Sequence, residues 1–207
     1  MYNEGIGVTQ DYAEAMKWFR LAAEQGNTLA QFDLGQMYRR GAGVAQDYAE
    51  AAKWYRLAAE QGLAEAQGNL GILYVKGQGV TQDYAQAVKW YRLAVEQGNA
   101  AAQYNFGLLY INGQGVTQDD TEAVKWWRLA AEQGHAHSQT NLGVMYAKGH
   151  GVILDPVFAH MWFNIAAASG IAKAVTGRDA VAQNMSPAQI AEAQKLAREW
   201  MEKHPPQ

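Results

Sequence analysis

Three histidines that lie close together in the chain, His135, His137 and His150, are the residues best suited to bind a metal ion. His135 and His137 are two positions apart, so they do not share one face of a helix, and the pattern fixes no acidic partner for them. The sequence therefore favours solvent-exposed histidines over a metal centre, and neither a metal ion nor another cofactor is predicted.

The paired acids Asp119 and Asp120 are candidates for acid–base chemistry, but they stand at the predicted start of a helix, where a carboxylate caps free backbone amides. The recurring Gly-x-Gly-Val segments lack the third glycine of a dinucleotide-binding fingerprint, and they follow a helix rather than a strand. The sequence has no phosphate-binding loop, nucleophile elbow, zinc-protease pattern or calcium loop. We therefore expect no catalytic residues and no enzymatic activity.

The composition of the chain excludes several further classes of function and of site. The 207 residues carry a formal net charge of −3 with acids and bases interleaved, which argues against a nucleic-acid-binding surface. No apolar run is long enough to span a membrane, and the absence of cysteine rules out disulfides and thiolate metal sites. The apolar fraction of 49% is sufficient for a folded core.

The elements that would position any functional residue come from an internal repeat of 36 residues. A repeat of this length is typical of helical solenoids, in which similar hairpins stack on one another. Tryptophan and two glycines return at that interval, and they are Trp18, Trp54, Trp90, Trp126 and Trp162, then Gly26, Gly62, Gly98, Gly134 and Gly170, then Gly7, Gly43, Gly79, Gly115 and Gly151.

Each repeat reads as two helices, here called helix A and helix B. Helix B begins after an aspartate, such as Asp47, and Glu50 three residues later completes a predicted capping box. Helix B ends at a glycine such as Gly62, which suits a left-handed C-cap. Helix A is predicted at 28–40, and the segment 41–44 provides a sharp turn into the next helix B.

A glycine recurs inside helix A, at Gly35, Gly71, Gly107 and Gly143. A glycine in a helix costs about 1 kcal/mol relative to alanine, so its return predicts a close approach between helices. The helix A face that contains Ala30, Leu34, Met37 and Tyr38 is expected to pack on helix B, and the Trp-aromatic pairs such as Trp54-Tyr55 are expected to pack between repeats rather than to stack on sugars or bases.

At these residues the chain resembles the Sel-one-like repeat family, a relative of the tetratricopeptide repeats. One repeat matches the family pattern in order through Ala66, Leu70, Gly71, Tyr74, Gly77, Gly79, Val80, Asp83, Ala87, Trp90, Ala94 and Gly98. The resemblance runs from residue 2 to residue 170. It implies an all-α fold, an α/α right-handed superhelix, and a role as an adaptor or scaffold, often in bacteria.

The two ends of the chain differ from the repeats between them. The array is expected to occupy 1–170, with a first repeat that lacks most of its helix A, so that helix B at Asp11 to Gln25 would expose its apolar face or be covered by another element. That end is also a predicted place for self-association. Residues 171–207 are expected to form a capping helix pair, with Ser186 and Pro187 opening the last helix.

The predicted partner-binding surface lies on helix A, on the face that does not pack on helix B. Positions there vary between repeats, and many hold apolar residues that the hairpin does not require. Asparagines on this face are expected either to clamp the backbone of a bound peptide or to brace neighbouring helices. The candidate residues are Phe32, Asp33, Gln36, Arg39, Arg40, Asn69, Ile72, Lys76, Tyr104, Asn105, Leu108 and Asn141.

The sequence therefore predicts a scaffold that binds a peptide or helix of a partner protein along the concave helix A surface. The alternative is a regulatory segment of a larger protein, with its functional surface upstream. A hydrolase is the least favoured hypothesis. The partner is expected to be protein, without nucleic acid or membrane insertion. The sequence leaves the location unknown: as given it would be cytoplasmic, and an upstream signal would make the protein periplasmic or secreted.

Overall fold

The computed structural model describes residues 12–205, and this part of the chain contains helices without strands. The helices are α1 (Tyr12–Glu24), α2 (Thr28–Arg40), α3 (Tyr48–Glu60), α4 (Ala64–Lys76), α5 (Tyr84–Glu96), α6 (Ala100–Asn112), α7 (Asp120–Glu132), α8 (Ala136–Lys148), α9 (Pro156–Ala168), α10 (Ala172–Ala182) and α11 (Pro187–Lys203). The predicted bounds of the first complete helix A, 28–40, are confirmed by α2.

The chain divides into two compact units, Met1–Asn99 and Ala100–Gln207. In the first unit, α2 pairs with α3 and α4 pairs with α5 as helical hairpins. In the second unit, α6 pairs with α7 and α8 pairs with α9 in the same way. Helices α2, α4, α6 and α8 are the predicted helix A copies, and α3, α5, α7 and α9 are the helix B copies.

The glycine inside each helix A lies against an aromatic ring of helix B from the same hairpin. A Cβ atom added to Gly71 would lie 2.6 Å from the ring of Tyr91, and one added to Gly143 would lie 2.6 Å from Phe163. Real Cβ atoms do not approach ring atoms this closely, so only glycine fits. The close approach predicted from the recurring glycine is confirmed.

Aspartate caps helix B at its N-terminus, although only half of the predicted capping box forms. One carboxylate oxygen of Asp47 accepts hydrogen bonds from the backbone amides of Ala49 and Glu50, at 2.8 and 3.0 Å. The amide of Asp47, which the box would pair with Glu50, instead donates to the carbonyl of Tyr38 at 2.9 Å. The Glu50 carboxylate is bound by Lys53. The prediction of a capping box was therefore wrong, because a carbonyl oxygen at the end of helix A accepts the hydrogen bond that the Glu50 side chain was expected to accept.

The Gly-x-Gly-Val turn uses positive φ angles at both glycines, as predicted, with φ of +63° at Gly77 and +69° at Gly79. Gly79 has a second role, because a Cβ atom there would lie 2.1 Å from the backbone carbonyl of Tyr48 in the preceding repeat. Gly151 makes the equivalent approach to the Asp120 carbonyl, at 2.4 Å. These glycines therefore set how closely one hairpin stacks on the next.

An arginine of helix B reaches the tyrosine hydroxyl of the following helix A. Arg56 donates to Tyr74 at 3.0 Å, and Arg128 donates to Tyr146 at 2.8 Å. Arg20 likewise donates to Tyr38. The arginine thereby links helix B of one repeat to helix A of the next.

Helix α1 packs its predicted apolar face on the rest of the first unit. Ala15 is 4% exposed, and Phe19 and Ala22 are half-buried against the core. Of the two expectations for this face, exposed or covered by another element, the second is confirmed, because α2 packs on α1. Trp18 on the same helix is 58% exposed, whereas Trp90 is 7% exposed. Asp11, the predicted N-cap of this helix, lies outside the described residues.

The last two helices pack on α9. Ser186 and Gln189 form the predicted capping box at the start of α11, and Ala193 and Ala197 are fully buried. In α10, Arg178 and Asp179 hold the positions of Leu-Gly, but the neighbouring Gly177 faces the Phe163 ring, with its added Cβ at 2.7 Å.

His160 on α9 is a buried histidine, with its side chain only 3% exposed. Two further helices, α10 and α11, pack on α9 and cover it. Burial lowers the pKa of His160, and the Arg178 guanidinium lowers it further.

Alanine at Gly79 should destabilise the protein more than alanine at Gly62. Both residues have positive φ, at +69° and +95°, so each substitution costs about 1–2 kcal/mol in backbone energy. Nothing lies within 4 Å of a Cβ atom added to Gly62, whereas one added to Gly79 collides with the Tyr48 backbone. Gly79→Ala should lose about 1–3 kcal/mol more, measured by urea unfolding. Equal losses would contradict the close stacking.

Candidate functional site

The candidate surface, called here the helix A surface, consists of the twelve predicted partner-binding residues. In the first unit its apolar members are half-buried, because they lie beside the core without entering it. The ring of Phe32 lies 5.8 Å from that of Tyr55, with the two planes tilted by 41°. Ile72 and Gln36 are also half-buried.

The cations of the first unit are not equivalent. Arg39 is half-buried and its Nε donates to the hydroxyl of Tyr55 at 3.2 Å, whereas Arg40 and Lys76 are exposed. Burial raises the pKa of the Tyr55 hydroxyl, although the neighbouring Arg39 acts in the opposite direction. Arg39 is therefore held by the fold, and Arg40 and Lys76 are the cations that a ligand of this unit could reach.

In the second unit, Tyr104 and Leu108 are one helical turn apart on α6 and both are half-buried. They pack against the core of the unit from its edge. The Tyr104 ring lies 4.8 Å from His135 and 6.0 Å from His137, which makes an aromatic cluster at the start of α8. Burial raises the pKa of the Tyr104 hydroxyl, so this phenol is uncharged near neutral pH.

The asparagines of the helix A surface are half-buried at Asn69, Asn105 and Asn141. The amide of Asn105 donates to the carbonyl of Ala101 in its own helix, at 2.9 Å. One of its amide hydrogens is thereby engaged within α6, which is neither a peptide clamp nor a brace to a neighbouring helix. The peptide clamp stays a prediction, as does a role for Asp33, which is half-buried on α2.

His135 has a structural role that the sequence did not indicate. Its Nδ1 caps α8 by accepting from the backbone amide of Ser138 at 3.3 Å, and the Ser138 hydroxyl lies 3.0 Å from the same atom. The prediction of a solvent-exposed histidine was wrong here, because the residue is half-buried, whereas His137 and His150 are exposed. A signal was present, since the equivalent position holds Asn27, whose side chain caps α2 in the same way.

A set of buried glutamines was missed altogether. Each complete helix A contains one glutamine on its packed face, and all are at most 4% exposed. A polar residue that returns at a buried position was the signal that could have found them. They are Gln31, Gln67, Gln103 and Gln139.

Asp119, which was considered for acid–base chemistry, has a structural role. Asp119 caps α7, because one of its carboxylate oxygens accepts from the amides of Thr121 and Glu122 at 2.9 and 3.0 Å. Within residues 12–205 no three acidic, histidine or cysteine side chains come together as a metal site. In the same range no helix is both long and apolar enough to cross a membrane.

Comparison with known proteins identifies the repeat. The Sel1 repeat model matches residues 1–27, 28–63, 64–99, 100–135 and 136–171. The chain belongs to the Sel1 repeat family. Members of this family are helical repeat proteins that act in general as protein–protein interaction scaffolds and not as enzymes. No curated protein gives a match to the chain.

Two solved Sel1 repeat structures resemble the chain over almost its full length. A protective antigen with an SLR fold, present in uropathogenic Escherichia coli strains, is 41% identical, with a TM-score of 0.83 over 96% of this chain and 44% of the other. A Sel1 repeat protein from Oxalobacter formigenes is 38% identical, with a TM-score of 0.83 over 99% of this chain and 83% of the other. The chain thus spans less than half of the Escherichia coli structure, and both likenesses support the solenoid fold.

An immunity protein from Pseudomonas aeruginosa shares the fold at 18% identity. Its TM-score is 0.56, over 100% of this chain and 82% of the other. At this identity the likeness concerns the fold alone.

The His135 cap should make the stability of α8 depend on pH. Burial lowers the pKa of His135, and the charge of His137 lowers it further, so the folded state resists protonation. The unfolded chain then binds more protons below about pH 6.5, and stability should fall as the pH drops through the folded-state pKa. Protonated Nδ1 cannot accept from Ser138, and a lost N-cap costs about 1 kcal/mol.

The matched variant is His135→Asn, because asparagine caps α2 without titrating. Urea unfolding of both proteins between about pH 7 and about pH 5 should show a smaller loss of stability in the variant. Since His160 titrates in both proteins, the difference between them isolates His135. Identical losses would show that the cap does not titrate.

Proposed function

We propose that this chain is an interaction scaffold that binds a peptide or helix of a partner protein on the helix A surface. One observation supports the proposal above all. Tyr104 and Leu108 are half-buried apolar residues one turn apart on α6, on the face opposite the buried Phe106. A helix face that the hairpin does not bury is expected to be polar, so apolar residues there favour a contact surface.

The variation among repeats supports the same surface. Positions that build the hairpin stay nearly fixed, whereas the position of Tyr104 holds Phe32, Gly68 and Thr140 in other repeats. Thr140 turns its hydroxyl to the carbonyl of Ala136 in its own helix, so this repeat offers little to a ligand. Taken by itself, the first unit carries Phe32 and Ile72 together with the exposed cations Arg40 and Lys76, which suits a partner segment that is apolar with an acidic edge.

A second role is as a regulatory segment within a larger protein. It is favoured by the comparison with the Escherichia coli structure, of which the matched region is 44%. Under this proposal the partner-binding surface of the whole protein lies in another segment. The two proposals are distinguished by expressing this chain and the longest reading frame that contains it, and by comparing the partners that each protein captures. The scaffold proposal requires that this chain alone captures the partner.

Replacing Tyr104 by serine and Leu108 by glutamine together should abolish partner binding. Central aromatic and aliphatic anchors each contribute on the order of 2 kcal/mol or more to binding, so the loss of both should weaken the complex by at least about a hundredfold. The measurement is affinity capture from the source organism with the purified chain as bait, with each captured protein quantified by mass spectrometry.

The control replaces Leu93 and Leu129 on helix B by glutamine, since these leucines are 38% and 40% exposed and lie outside the helix A surface. Circular dichroism should show the same helix content in both variants and in the parent. A partner that the control retains and the Tyr104/Leu108 variant loses supports the proposal. Equal retention by both would exclude the helix A surface as the binding site.

A further inference from the structure

The buried glutamines of helix A take part in a chain of hydrogen bonds between helices. In three hairpins a glutamine at the end of helix B donates its side-chain amide to the carbonyl oxygen of the helix A glutamine. The distances from Nε2 to Oε1 are 2.7 Å for Gln61 to Gln31, 2.8 Å for Gln97 to Gln67 and 2.9 Å for Gln133 to Gln103. The two side chains therefore bind each other as a donor and an acceptor.

The helix A glutamine also holds the preceding helix B. Gln31 donates to the carbonyl of Ala23, and Gln67 donates to the carbonyl of Ala59, both at 3.1 Å. Both ends of the buried amide are thus satisfied, as a buried polar group requires. The pairs Gln31–Gln61 and Gln67–Gln97 consequently link three helices each.

The last hairpin lacks one half of this pair. Gln139 still donates to the carbonyl of Ala131 at 3.1 Å, but Ser169 stands where the donor glutamine would be. Gln139 is 1% exposed, and its Oε1 has no hydrogen-bond partner among the described residues. A buried carbonyl oxygen without a donor costs about 1–3 kcal/mol, so its presence here requires an explanation.

A cleft of about 820 Å³ opens at this point, at the C-terminal ends of α7, α9 and α11. Gln139 and Ser169 both line it. Ile165, Trp200 and Met201 give it apolar walls, and Lys203 lies among its lining residues. Pockets that bind ligands combine apolar walls with a few fixed polar groups in this range of volume.

We propose that this cleft binds the side-chain carboxamide of a glutamine from a partner polypeptide, with its N–H donated to Oε1 of Gln139. The same atom accepts a glutamine amide in the three other hairpins, so the acceptor is already arranged for that donor. The Lys203 ammonium lines the same cleft and can donate to the carbonyl oxygen of the bound amide.

A polypeptide suits the cleft better than free glutamine, because the cleft extends past the position of one side chain. The walls formed by Ile165, Trp200 and Met201 are apolar, so they match the side chains that flank the glutamine in a bound segment. None of the residues that line this cleft belongs to the helix A surface. The site is therefore independent of the proposed function.

The test uses nuclear magnetic resonance of the ¹⁵N-labelled protein with two probes of nearly equal shape. N-acetyl-glutamine amide carries the carboxamide, and N-acetyl-glutamate amide replaces its amide nitrogen by an oxygen that cannot donate. At millimolar concentration the glutamine probe should shift the side-chain amide signals of Gln139 and the indole signal of Trp200. The glutamate probe should bind at least about tenfold more weakly, because it leaves Oε1 without a donor.

Two variants of Ser169 complete the experiment. Ser169→Gln supplies the missing donor from within the chain, so it should raise the melting temperature and weaken the glutamine probe at least about tenfold. Ser169→Ala is the matched control, since it leaves the cleft open, and it should keep the affinity of the parent.

Equal binding of the two probes would overturn the proposal, as would unchanged binding by Ser169→Gln. Absence of any shift at Gln139 would show that the glutamine probe does not reach the oxygen, and it would also overturn the proposal. If Ser169→Gln fails to fold, the comparison of the two probes on the parent and on Ser169→Ala decides the matter.

Discussion

Each hairpin depends on the contact between a helix A glycine and an aromatic ring of helix B. The nearest ring atom lies only 2.5–2.6 Å from the position that a Cβ atom of the facing residue would occupy, which is too close for any residue but glycine. The four rings are those of Tyr55, Tyr91, Trp127 and Phe163. The two backbones can approach closely only because of that missing atom. The ring then fills the space between the helices and reaches at most 3% exposure.

The fixed geometry of the hairpin determines what the remaining positions can do. Once the glycine and ring set the spacing, the buried glutamines can join neighbouring helices and the arginines of helix B can reach the tyrosines of the next helix A. The positions on the other side of helix A lie at the edge of this packing, where their side chains are only partly buried. They are free to differ between repeats, and for this reason binding is best sought there.

Much of the fold could be predicted from the sequence, because it depends on local residues that recur. Asp47 as a cap, Gly62 after the helix end and the two glycines of each turn act through their own backbone, and the repeat shows each of them several times. Contacts between helices were harder to predict. The sequence does not show that the Tyr38 hydroxyl of the next hairpin is within reach of Arg20.

The candidate site was predictable only in part for the same reason. The sequence shows which positions of helix A avoid the core, yet it does not show that Asn105 bonds its own helix or that Arg39 is held by Tyr55. The glutamine pairs were visible as a repeated polar residue on an apolar face. Their meaning became clear only when the end of helix B was placed beside them.

The central claim is that the glycine is required because the ring occupies its Cβ position. It is tested most directly by a double-mutant cycle at Gly71 and Tyr91, with the free energy of unfolding measured in urea. Gly71→Ala should destabilise the parent, because the added Cβ lies 2.6 Å from the Tyr91 ring. In a Tyr91→Ala background the same change should be neutral or stabilising by up to about 1 kcal/mol, since alanine favours the helix. An equal loss in both backgrounds would contradict the account.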